Sequence, residues 1–271
     1  MNDDILAWTI DDGLVPDTDT HDPLLAADSW LVQDGRVRGI ELHRQRFTDA
    51  CAEAAGLPEA TVTPFWQAAL ARLPRTGDLF PRVELVGDGH LRVRVRPAPR
   101  RGTEIRVLVP DEPDPRLLPR RKGPDLARLG VLRSTAVDAG ADDALLTTPS
   151  GVVLESGTAS LLWWEGDTLC VPDPHLPVLG GVTARLIREH ASDLGIAVAA
   201  RRAVLADLDG RETWLVNALH GIRPVTAWVR GTVSPGPTPR ATEWRRWWQS
   251  IAAPLRARHL RPVSARSEQA V

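Results

Sequence analysis

ADDALLTTPSGVVLESGTASLLWWEGDTLCVP, residues 141–172, runs through the loop DPHLPVLGG into VTARLIREH at 182–190, and its punctuation decides the fold class. The apolar run 144–148 reads as a strand, and the Pro149–Gly151 turn returns the chain into a second strand at 152–154. The small polar run ESGTAS then separates these from LLWW, the turn Glu165-Gly166-Asp167 and a further strand at 168–171. Two glycines precede a helix predicted from Thr183 to Asp193, which Gly195 closes. Short strands joined as hairpins, with helices interspersed, predict an α+β layered fold rather than a doubly wound parallel sheet.

Working outward, the N-terminal side carries a hairpin at DSWLVQDGRVRG (28–39), a helix predicted at 42–55 and a second at 64–72 with Pro64 at its start. Strands follow at 82–86, 91–96 and 105–109. LRVRVR alternates strictly, which puts its three arginines on one sheet face, expected to be solvated. PDEPDPRLLPR (110–120) excludes regular structure. The expected organisation is therefore a smaller N-terminal domain over 1–110, a linker over 111–120, a larger domain over 121–258 and a disordered tail over 259–271. On the far side, strands are predicted at 214–217 and 224–228, with a terminal amphipathic helix at 242–256 carrying Trp244, Trp247 and Trp248.

The 271 residues are 43% hydrophobic and 25% charged, with 33 cationic against 35 acidic side chains and a net charge of -2. That balance argues for a soluble globular protein and against a strongly basic nucleic-acid binder. MNDDILAW lacks a signal-peptide pattern and no apolar run approaches a membrane span, so a cytoplasmic protein is expected. Cys51 and Cys170 stand apart with no metal-ligand spacing, and no metal site is expected.

Lys122 is the only lysine among the 33 Lys plus Arg residues. Arginine serves wherever only positive charge is needed, whereas lysine can lose its proton and form a Schiff base. It reads either as a reactive amine or as a surface residue that escaped the arginine bias. GGVTARLIREH offers a helix N-terminus suited to an anion, with Thr183 at the expected N-cap; the same pattern also serves as an ordinary cap. Arg46 on the first helix could supply a matching cation or stand as an exposed helix charge. Glu155, just after the apolar VVL, reads as a turn residue or as a carboxylate facing a cationic partner.

Order and context together resemble the class IV aminotransferases, the fold type IV pyridoxal-phosphate enzymes that include branched-chain and D-amino acid aminotransferases and 4-amino-4-deoxychorismate lyases. The resemblance runs from about Leu24 to Val229 and is most specific over residues 141–187. It implies a two-domain α+β fold like that of D-amino acid aminotransferase, pyridoxal 5'-phosphate as cofactor, amino acid and 2-oxo acid substrates, and a homodimer. Matched to ELHRQRF, Arg46 becomes a phosphate ligand; matched to RKGPDLARL, Lys122 becomes the Schiff-base lysine. Glu155 falls where the family sets a carboxylate against the pyridine nitrogen, Val182 and Thr183 on the phosphate turn, and Asn217 and Ala218, in NALHGIRPV, near the phosphate. The chain departs from the family pattern in having no tyrosine, in Ser160 for a usual Asn and in Gly180 for a usual Pro. The expected activity is amino transfer; lyase chemistry on the same constellation, or a catalytically silent homologue, are the alternatives.

Overall fold

A computed structural model describes residues 4–17, 23–87 and 89–255. Five α-helices occur among them: α1 (Ile40–Ala55), α2 (Glu59–Arg72), α3 (Leu126–Asp138), α4 (Val182–Asp193) and α5 (Ala241–Ser250). The strands form a five-stranded sheet in the N-terminal part, an eight-stranded sheet, and a small four-stranded sheet of two-residue pieces.

The five-stranded sheet is antiparallel, with the strand Leu24–Ser29 at one edge beside Arg82–Val86. α1 and α2 bury Phe47, Phe65 and Trp66 in a core that also takes Trp30 and the strand residues Val83, Leu85 and Val93. Each such apolar side chain removed from water contributes about 1.5–3 kcal/mol before entropy is counted. α2 starts after Pro58 rather than at Pro64, which lies inside the helix.

The arginine face of LRVRVR corrects the expectation of a solvated stripe. Glu84 is buried opposite Arg92 in register, and its carboxylate accepts hydrogen bonds from Arg82 (2.6 Å), Arg94 (2.8 Å) and Arg92 (3.2 Å). Alternation assigned the shared face correctly, but a carboxylate on the neighbouring strand turned that face into a buried ionic cluster.

In the eight-stranded sheet the order is Val153–Ser156, Asp143–Thr147, Ile105–Leu108, Gly221–Val229, Thr213–Asn217, Ser160–Glu165, Thr168–Pro172, Val198–Arg201. Val153–Ser156 also pairs with Ser160–Glu165, so the first six strands close into a ring. Strand alternation sends Leu161 and Trp163 into one core with Ile105, Val107, Leu215 and Val225. Leu162 and Trp164 go to the opposite face, where α4 and α5 cover them with Ile187, Trp244 and Trp248. Ile105–Leu108, read from sequence on the N-terminal side of the linker, is a member of this ring, hydrogen-bonded in parallel to strands on both sides. Residues 110–120 contain neither helix nor strand, as their prolines dictate.

α5 ends at Ser250, and Ala253–Pro254 then pairs with Arg36–Val37, which ties the last described residues back to the N-terminal part. The expected tail over 259–271 lies outside the described residues. Among the described residues no helix is long and apolar enough to cross a membrane, and no cluster of metal-ligating side chains occurs.

Candidate active site

A cavity of about 650 Å³ is lined by Arg46, Lys122, Glu155, Val182, Thr183, Asn217 and Ala218, so all seven residues singled out from the sequence meet in one place. They arrive from the eight-stranded sheet, from α1, from α4, from the loop that carries Lys122 and from the turn that carries Ala218.

Arg46 projects from α1 toward the edge strand Leu24–Ser29, where Asp28 is fully buried. Its guanidinium grips that carboxylate by two bonds of 2.8 Å and donates a third, of 3.0 Å, to the Gly180 carbonyl. His43, one turn earlier on α1, places Nδ1 2.8 Å from the same carboxylate. Burial alone would raise the Asp28 pKa, but Arg46 and His43 outweigh it and hold the group well below the usual carboxylate range. Burial also lowers the His43 pKa against the pull of Asp28. An ionised Asp28 thus fixes Arg46 in a bidentate fork that leaves other guanidinium N–H groups for a ligand.

Lys122 is held at the crossing of a loop over that same strand. Ala27 N–H donates to the Lys122 carbonyl at 2.7 Å. Gly123, with φ +131°, lies so close that a Cβ would stand 2.8 Å from the backbone of Ala26 and Ala27. On either side the loop is pinned by Asp125, which accepts from the amides of Leu117 (3.0 Å) and Leu118 (2.8 Å), and by Arg120, which donates to the carbonyls of Pro174, His175 and Leu176. Burial lowers the Lys122 pKa from 10.5 to about 8, aided by Arg46, Arg82 and Arg96 and opposed by Asp28. A useful fraction of the amine is therefore neutral near pH 7–8.

Glu155 is buried at the end of its strand and accepts two bonds at Oε1, from Arg116 at 2.7 Å and from the Leu179 amide at 2.8 Å. Oε2 has no protein donor among the described residues. Burial raises the Glu155 pKa, with Arg116 and the amide opposing. Arg116 is in turn clamped by Asp114 and donates to the Pro177 carbonyl at 3.1 Å. The proline-rich segment thereby contributes Arg116 and Pro119 to the wall of the cavity.

α4 opens into the cavity with Gly181 as its N-cap and no side chain capping its first amides. This corrects the expectation that Thr183 is the cap: Thr183 is the second helical residue, and its Oγ1 is buried without a hydrogen-bond partner. A Cβ on Gly181 would collide with Ser160 Oγ, so the glycine here provides close approach. The N-terminus of α1 packs alongside, since Gly39, with φ +58°, leaves no room for a Cβ beside Val182. Asn217 spends its side chain on the turn: Oδ1 accepts from the amides of Leu219 (3.1 Å) and His220 (2.8 Å), and Nδ2 donates to the Thr158 carbonyl at 3.1 Å.

Sequence reasoning missed Asp28, Arg116 and Arg223, which also lines the cavity. An acid inside the apolar run LLAADSW was a legible signal for Asp28. Among 32 arginines, nothing marked Arg116 or Arg223 before the fold brought them inward.

The amino-transferase class IV family model matches residues 25–228. An aminodeoxychorismate lyase of Bacillus subtilis (strain 168) is 32% identical over 85 residues, a match covering 31% of this chain and only 29% of the lyase. A hypothetical aminotransferase from Mycobacterium tuberculosis superposes with a TM-score of 0.76 at 23% identity, covering 91% of this chain and 98% of that one, in both its PLP-bound form and its alpha-ketoglutarate and PMP bound form. The branched-chain amino acid aminotransferase of Escherichia coli gives a TM-score of 0.76 at 15% identity over 92% of this chain and 94% of that one. With the family model spanning most of its length and the fold shared end to end, the chain belongs to the class IV aminotransferase family.

Proposed function

We propose that this protein is a pyridoxal-phosphate-dependent aminotransferase that moves an amino group between an amino acid and a 2-oxo acid. The observation that carries the reading is the meeting of the only lysine, with its pKa lowered to about 8, with Arg46, Glu155 and the uncapped start of α4 in one cavity.

The residues fit the cofactor. Thr183 Oγ1 is an orphaned buried hydroxyl beside free helix amides, which suits a phosphate, and Arg46 brings a fixed cation nearby. Val182 and Ala218 would contribute to the same turn-and-helix cradle, while Asn217 shapes it. Glu155, with an oxygen to spare, would face a ring nitrogen. When bound, pyridoxal phosphate supplies an electron sink that stabilises negative charge at the substrate carbon. Lys122 Nζ would hold the cofactor, and once released would move a proton between the substrate α-carbon and the cofactor carbon on the other side of the amino nitrogen. Glu155 would keep the ring nitrogen protonated, with Arg116 supporting its negative charge.

Borohydride reduction of the cofactor-loaded protein, followed by peptide mapping, should place a pyridoxyl group on Lys122. A label confined to the N-terminal amine would defeat the assignment. A panel of amino donors and 2-oxo acids, run beside 4-amino-4-deoxychorismate, separates amino transfer from the second reading. That reading is the lyase reaction releasing pyruvate and 4-aminobenzoate, favoured by the similarity to aminodeoxychorismate lyases. A homodimer and a cytoplasmic location follow from the same reading, the first open to sedimentation analysis. We place the division between the two domains before Ile105, whose strand belongs to the ring.

Thr183→Val isolates the phosphate assignment. Because the hydroxyl bonds nothing in the protein, its loss should leave the apoprotein as stable as the parent. Cofactor affinity should nonetheless fall by about tenfold to a hundredfold, the cost of one lost hydrogen bond to a charged group. Equilibrium dialysis of pyridoxal phosphate against both apoproteins, beside their melting curves, makes the comparison. Equal affinities would remove Thr183 from the site.

A further inference from the structure

Thr183 is matched by a second orphan in the same cavity. Arg223 is 6% exposed, and its Nε is buried without a hydrogen-bond partner. It stands opposite Leu215 in the strand pairing, on the face that feeds the enclosed core of the ring, so it caps that core where the cavity begins. A buried cation without a hydrogen-bonded anion is costly, and such a group calls for an explanation.

The nearby acids do not supply one. Asp143 spends its oxygens on Ala144 N–H, Ser156 Oγ and the amide and hydroxyl of Thr158. Asp142 accepts from the Arg106 amide through Oδ2. Both attract Arg223 through space, but neither forms an ion pair with it. Burial lowers the Arg223 pKa to about 10, with Asp143 and Asp142 opposing, which leaves it charged at neutral pH.

His220 completes the arrangement. The Gly102 amide donates to its Nδ1 at 3.0 Å, so the neutral ring carries its proton on Nε2. Burial, with Arg223, Arg133 and Arg101 nearby, pushes its pKa down to about 4 and keeps it neutral at working pH. His220 also lines the cavity, which therefore receives a guanidinium and an imidazole N–H from the two ends of one short segment. Lys122 lines the cavity where its loop crosses the edge strand Leu24–Ser29 of the five-stranded sheet, whereas Arg223 lines it from the strand Gly221–Val229 of the ring, so the two groups reach the cavity from different sheets.

We propose that Arg223 and His220 form a binding site for a carboxylate remote from the reacting carbon, which makes dicarboxylic acids the preferred substrate class of this cavity. The inference rests on the aminotransferase reading for its substrate, but not for the binding of the anion itself. A planar guanidinium beside a fixed N–H donor matches the two oxygens of a carboxylate, and burial strengthens each contact.

Calorimetric titration of glutarate and of butyrate into the protein, before and after incubation with pyridoxal phosphate, tests it. The parent should bind glutarate about tenfold to a hundredfold more tightly than butyrate, as expected for charge-assisted contacts to a second carboxylate. Arg223→Met should erase that preference, leaving glutarate bound no more tightly than butyrate. Its melting temperature should hold or rise, because an unpaired buried cation has been removed; a structural arginine would lower it. Arg223→Gln is the second variant, and carries the test if Arg223→Met does not fold. No preference in the parent, or an undiminished one in a folded Arg223 variant, overturns the proposal. Cofactor retention is measured on the same samples. A parent that prefers glutarate through Arg223 yet never takes up pyridoxal phosphate defeats the aminotransferase reading and leaves the carboxylate site standing.

Discussion

Lys122→Ala should lower the rate of amino transfer by about a hundredfold to ten-thousandfold, the range for loss of a positioned proton-transfer group. The substitution removes the only side-chain amine in the protein, so no neighbouring lysine can take its place. The fold should survive, because the loop around it is held by the Lys122 carbonyl, by Asp125 and by Arg120 rather than by the amine. A small primary amine added to the variant should restore part of the activity, which a merely structural role would not allow. In the parent apoprotein, the rate of pyridoxal phosphate capture should rise with pH up to about 8 and level off above it. Below the Lys122 pKa the amine is mostly protonated and cannot attack the cofactor carbonyl, so each unit of acidification costs about tenfold. A flat profile between pH 6 and 9, or full activity in Lys122→Ala, would refute the assignment.

Gly123→Ala should be the most damaging change that leaves every chemical group in place. The added Cβ meets backbone atoms of Ala26 and Ala27 at 2.8 Å, and φ +131° is a conformation that side-chain-bearing residues rarely adopt. Neither strand nor loop can yield without breaking the Ala27 to Lys122 hydrogen bond. The expected destabilisation is about 3–5 kcal/mol, which joins backbone strain to overpacking. Denaturant titration measures it, and any folded protein should also show a perturbed pH–rate profile because Lys122 moves with the loop. At Gly151, where a Cβ would meet nothing within 4 Å, the same substitution should cost only the strain of its positive φ. Equal stabilities of the two variants would show that close approach at Gly123 contributes nothing.

Much of the site was legible because its residue types stand out against this composition. A solitary lysine, a glycine pair before an apolar-periodic helix and a glutamate after an apolar strand are local signals, and each was read within a few residues of its place. The strand–turn–strand rhythm of residues 141–172 likewise foretold the hairpins, since alternation and turn chemistry act over short range. The misreadings share a cause. Pro64 reads as the start of α2, but the helix begins after Pro58 and the packing of Phe65 and Trp66 carries it through Pro64. The arginine stripe of LRVRVR reads as solvated because Glu84, which accepts from Arg92 and Arg94, lies on another strand.

The sequence by itself determined the α+β class, the order of the elements, and the identities of Lys122, Arg46, Glu155 and the Val182–Thr183 turn as residues to examine. Those are properties of residue type and near-neighbour spacing. Only the tertiary structure decided that Ile105–Leu108 belongs to the closed ring, that Asp28 locks Arg46, that Arg116 faces Glu155, and that Arg223 is buried beside His220 without an anion. Burial, charge and hydrogen bonding at those positions arise between segments far apart in the chain. An arginine reads the same in sequence whether water, a carboxylate or an empty cavity awaits it; the fold supplies the surroundings that set its energy and its use.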